Sequence, residues 1–86
     1  MPTYDEWQAT YKETAIREIQ KYFRIHEIGN ISEAVLESVS TRIAQQSERI
    51  EDETFASLLD QISRSLAKND IQDVRNKYYD LEQLPI

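Results

Sequence analysis

The chain has 86 residues, a net charge of −6, one glycine, two prolines and no cysteine. That excludes disulfide staples and thiol chemistry and leaves too few glycines for a phosphate loop or a dinucleotide fingerprint. It also disfavours direct nucleic-acid binding, which relies on clustered lysine and arginine. No apolar run approaches the roughly 18–20 residues of a membrane span, and the start lacks the basic-then-apolar layout of a signal peptide. The expectation is one cytoplasmic domain over residues 1–86 that makes no membrane contact.

The first element opens at Thr3-Tyr4-Asp5-Glu6, a capping-box pattern in which the Thr3 hydroxyl and the Glu6 carboxylate satisfy each other's backbone N–H groups. No glycine or proline then appears until Gly29, which suits a left-handed C-terminal cap. The pattern predicts a helix of about 24 residues, roughly 36 Å long. Tyr4, Trp7 and Tyr11 form a narrow aromatic stripe at i, i+3, i+7. Ala15, Ile19, Tyr22 and His26 continue it, and Ile16 and Phe23 widen it to an apolar arc well over 100° across. A face that wide meets two neighbours, so this helix is the expected spine.

Asn30-Ile31-Ser32-Glu33 offers a second capping box, with Asn30 as cap. Leu36, Val39, Ile43, Gln46 and Ile50 follow at heptad spacing. Phe55, Leu58, Leu59, Ile62 and Leu66 would point about 140° away from that seam on a straight helix. One helix in a small domain cannot easily bury both faces. A turn is therefore expected within 50–53, with Asp52 as the next N-cap. The alternative is a three-helix chain with one continuous helix over 32–68, which would favour an extended dimer.

Leu36–Gln46 aligns without gaps to Leu59–Asn69, with matching Leu, Ser and Ala positions. Helices facing one core use similar residues, so coincidence explains this echo as well as duplication does. Both explanations give two helices with equivalent packing roles. Asn69 or Asp70 caps a last helix, whose stripe is Ile71, Val74, Tyr78 and Leu81. Pro85 disfavours helix at Leu84. Short connections then predict an all-α, four-helix antiparallel bundle. In an up-down-up-down arrangement the end of the last helix lies beside the start of the first. That would bring Tyr78, Tyr79, Leu81 and Leu84 towards Tyr4, Trp7 and Tyr11.

The sequence offers no catalytic, cofactor or metal constellation. His26 is the one histidine, and Phe23 stands where a bundle metal site would want Glu. It reads as a partly buried helix-end residue, with a pH-sensitive contact as the sharper alternative. The serines fall at polar helical positions with no base beside them. Glu48, Glu51 and Glu53 read as a solvated turn or as an acidic docking site for a basic partner. Tyr4, Trp7 and Tyr11 read as packing or as an anchor for another chain, because Trp and Tyr dominate binding hot spots. Tyr79 falls off its own stripe and joins Tyr78 as a further candidate contact.

The expected function is accordingly non-enzymatic. The leading reading is a protein-interaction module, self-associating (a homodimer through the aromatic end or the Leu36–Ile50 seam) or an adaptor. A small acidic inhibitor of phage or plasmid type, occupying a basic groove on a nucleic-acid enzyme, is one alternative. A small regulatory subunit of an enzyme is another.

Overall fold

The computed structural model describes residues 2–86 and is all-α: α1 (Tyr4–Ile28), α2 (Glu33–Arg49), α3 (Glu53–Ala67) and α4 (Ile71–Glu82). Every helix starts where a short polar side chain accepts from a backbone N–H left free at the helix end. Thr3 Oγ1 accepts from the Glu6 N–H at 3.2 Å, and Ser32 Oγ from Val35 at 3.3 Å. Asp52 Oδ1 accepts from Phe55 at 3.2 Å, and Asp70 Oδ1 from Asp73 at 3.2 Å.

Two sequence expectations about the ends are corrected. The cap of α2 is Ser32 and not Asn30: Ser32 has extended backbone (φ −70°, ψ 154°) directly before the first helical residue. Glu33 is thus the first residue of the helix, two residues too early to return a bond to the cap. Gly29 ends α1, donating its N–H to the Ile25 carbonyl at 3.3 Å, but in extended and not left-handed backbone (φ 165°). The left-handed position falls at Asn69 (φ 55°), just past α3.

The chain breaks at Ile50, whose backbone is extended (φ −88°, ψ 124°), so the continuous 32–68 helix does not form. The turn over residues 50–52 lets both stripes reach one core. Leu36, Val39, Ile43 and Ile50 are buried from α2 and its end, and Phe55, Leu59, Ile62 and Leu66 from α3. The Leu36–Ile50 seam is therefore filled within the monomer and is not a free dimer face. Ala15, Ile19 and Tyr22 enter the core from α1, and Val74 and Leu81 from α4.

The internal echo has a structural counterpart. Leu36 and Leu59, Val39 and Ile62, and Ile43 and Leu66 are buried at matching positions. Ser40 and Ser63 each donate to the carbonyl three residues back, at 3.1 Å and 2.7 Å.

Sequence neighbours pack as antiparallel helices. Glu18 and Arg42 pair at 3.5 Å across α1 and α2. α3 and α4 are clamped by Ser65, Asp73 and Lys77, which share hydrogen bonds. That clamp holds the Asp73 carboxyl below the usual range, through the Lys77 hydrogen bond first and Ser65 second. α4 returns beside α1: Phe23 and Tyr78 meet edge to face at 5.3 Å, and Gln20 Nε2 donates to the Tyr78 hydroxyl at 3.0 Å. Among the described residues no helix is long and apolar enough to cross a membrane.

Candidate functional site

The N-terminal turns of α1 run alongside the α2–α3 turn. Gln8 makes the join, its Oε1 accepting from the Glu51 N–H at 2.9 Å and its Nε2 donating to the Arg49 carbonyl at 3.0 Å. One amide thus satisfies a backbone donor and a backbone acceptor of a turn that has no helical partners of its own. One turn further along, Lys12 is buried. Its Nζ donates to Asp52 Oδ2 and to the Pro85 carbonyl, both at 3.2 Å, and lies 5.1 Å above the Phe55 ring. Lys12 therefore ties α1, the α2–α3 turn and the segment after α4 together. The Phe55 N–H and then Lys12 hold the Asp52 carboxyl below its ordinary range.

These two polar residues explain where the aromatics go. Counting 100° per residue, Gln8 and Lys12 continue the line of Ala15, Ile19 and Tyr22, whereas Tyr4, Trp7 and Tyr11 centre about 65° to one side. Gln8 and Lys12 occupy the core-facing position at this level and the aromatic stripe is turned outward. Tyr4 is 54% and Trp7 48% exposed. Tyr11 is half-buried against the core, with the Arg49 guanidinium 5.9 Å from its ring centre. The nearby Glu51 carboxylate raises the Tyr4 phenol above its ordinary pKa.

The structure thus places the aromatic stripe and the acidic turn, far apart in sequence, at one end of the bundle. Glu48, Glu51 and Glu53 are all exposed there. It does not bring the other tyrosines to them. α4 is only 12 residues long, and its Tyr78, more than halfway along it, is still level with Phe23 and Gln20 of α1. Only Pro85, three residues past the end of α4, reaches Lys12, and Ile86 lies beside Glu13. Tyr78 is engaged with Phe23 and Gln20, and Tyr79 stands 67% exposed on α4 away from Trp7. The aromatic cluster expected from the topology is corrected on this point: the up-down-up-down order holds, but α4 is too short to reach the start of α1.

His26 is half-buried, with its ring 6.0 Å from that of Tyr22. Among the described residues, no group of three or more His, Asp or Glu side chains could hold a metal ion. A shallow groove of about 490 Å³ lies at the opposite end, between the start of α2 and the end of α3, lined by Ile31, Leu36, Ala67 and Asn69 among others. The chain matches no protein-family model, and neither a curated protein nor a solved structure is significantly similar to it.

Proposed function

We propose that the protein is a non-catalytic protein-interaction module that binds through the end of the bundle formed by Tyr4, Trp7 and the α2–α3 turn. One observation carries this reading: a half-exposed tryptophan and tyrosine project from a rigid helix beside three exposed carboxylates. Aromatic side chains held on a rigid element lose little entropy when a partner covers them, and they supply much of the affinity at interfaces. Gln8 and Lys12 hold the helix in place, so the face is formed before any partner arrives. The absence of cysteine suits work in the cytoplasm.

The acidic-inhibitor reading uses the same face and differs in weight, resting on Glu48, Glu51 and Glu53 more than on Trp7. A regulatory subunit would differ only in the partner it holds.

Site-specific crosslinking in the cells that express the protein tests the proposal. A photoreactive residue at Tyr4 or Trp7 should yield covalent adducts to protein, whereas the same group at Lys21 or Tyr79 should not. Equal yields at all four positions, or none at Tyr4 and Trp7, would overturn it.

A further inference from the structure

Resting on that reading, we infer that the face takes a cationic, arginine-bearing segment of another protein and not a second copy of this chain. At the turn beside the aromatic stripe Glu48, Glu51 and Glu53 are exposed, and Asp52 is paired with Lys12. Among the described residues the cationic side chains there are Lys12 and Arg49, and both are engaged. Lys12 is buried against Asp52, and Arg49 lies over the Tyr11 ring. Among the described residues no cation stands within ion-pair distance of Glu48, Glu51 or Glu53. The face therefore has a surplus of negative charge and aromatic rings with open faces.

That pairing selects a guanidinium. Arginine is planar, weakly hydrated and able to stack on an aromatic face while forking onto a carboxylate, whereas lysine offers only a compact charge. The chain itself shows the contact, because Arg49 already covers the neighbouring ring of the same stripe. A partner arginine over Trp7, with the Glu51 carboxylate near Tyr4 on the same stripe, extends that arrangement by one helical turn.

A second copy fits less well. A two-fold dimer centred on this face sets the same carboxylates against themselves. A head-to-tail contact would have to use exposed cations away from this face, such as Arg17, Lys21, Arg24, Lys68 and Arg75, and such a contact builds open chains or rings and not a two-fold pair.

The test uses the full chain and two synthetic peptides of equal length and charge, one with arginine and one with lysine on a glycine-serine backbone. Trp7 is the only tryptophan, so its emission reports occupancy directly. Calorimetry supplies the affinities for variants that lack it. The arginine peptide should bind more tightly than the lysine peptide and shift the Trp7 emission. Trp7→Ala should weaken it by about tenfold or more, as hot-spot truncations do. The triple variant Glu48→Gln, Glu51→Gln, Glu53→Gln should also weaken it and flatten the salt dependence.

Equal affinity for both peptides, or unchanged binding by the triple variant, would show diffuse attraction and overturn the inference. A Trp7 shift that follows the chain's own concentration, with dimers or chains in sedimentation, would overturn it in favour of a second copy while leaving the interaction-module reading intact. Silence of Trp7 towards both peptides and towards its own chain would also overturn it, and the crosslinking yields judge the module reading separately.

Discussion

From Ala15 to Tyr22, α1 turns Ala15, Ile19 and Tyr22 inward, each at most 1% exposed and packed on residues from α2, α3 and α4. From Tyr4 to Lys12 the same uninterrupted helix is joined to the bundle by Gln8, Lys12 and the half-buried Tyr11, and the rings of Tyr4 and Trp7 face out. The helical backbone does not change between the two halves; what changes is the residue type on the core-facing line. Apolar residues there give burial and leave nothing to bind with. Gln8 and Lys12 there fix the helix through hydrogen bonds and leave Tyr4 and Trp7 free. The core and the proposed docking surface are thus separated along one helix, and substitutions in the two halves should differ in what they damage.

The largest effect belongs to the core. Phe55→Ala empties a fully buried aromatic site under Lys12, and the loss should be about 3–5 kcal/mol. Against a total of about 5–15 kcal/mol for a small domain, that brings the chain near its unfolding threshold. Urea denaturation followed by helical circular dichroism measures it.

Lys12→Ala addresses the junction. It removes a buried ammonium with partners on two other segments, but Asp52 is 36% exposed and can turn to water. The expected loss is about 1–2 kcal/mol, below that for a fully buried pair. The junction also predicts an acid response. The folded Asp52 and Asp73 have pKa values below the ordinary 3.8. Each therefore contributes stability above that value, and the contribution fades as pH falls through the lower, folded-state pKa. Stability should drop below about pH 4, and Asp52→Asn should flatten the drop in a pH series of urea midpoints.

Gln46 lies on the buried seam of α2, and its Oε1 has no hydrogen-bond partner among the described residues. Gln46→Leu should stabilise the chain by about 1 kcal/mol, because an unsatisfied polar atom is replaced by apolar contact. A loss of stability there would place an uncounted polar role at that end of the seam. The smallest change is expected at Gly29, where an added Cβ would meet nothing within 4 Å. Extended backbone suits alanine as well, so Gly29→Ala should be neutral or gain up to about 1 kcal/mol by restricting the unfolded chain. A clear loss would return Gly29 to the left-handed role that its position after α1 predicts.

Most of the fold was legible because its signals are local. Thr3, Asp52 and Asp70 announce helix starts through their own side chains, and the 140° jump between two apolar stripes places the break at Ile50. Ser32 against Asn30 is a choice between two good caps two residues apart, and only the backbone decides it. The docking end was legible in its parts and not in its assembly. Tyr4, Trp7, Glu48, Glu51 and Glu53 stand out as residue types, but their meeting depends on where α2 ends beside α1. Gln8 and Lys12 were hidden because polar residues on an amphipathic helix are read as solvent-facing. The one available signal was positional: 8, 12, 15, 19 and 22 lie on a single line, and two of the five are polar. The reach of α4 was misjudged because topology fixes which helices are adjacent and not how far along each other they extend.

The separation of fold from docking surface is tested most directly on one sample of Trp7→Ala, by measuring its unfolding free energy and its affinity for the arginine peptide together. Trp7 is half-exposed and outside the core cluster, so stability should change by no more than about 0.5 kcal/mol while affinity falls about tenfold or more. A variant that loses several kcal/mol of stability, or keeps the wild-type affinity, would contradict the account.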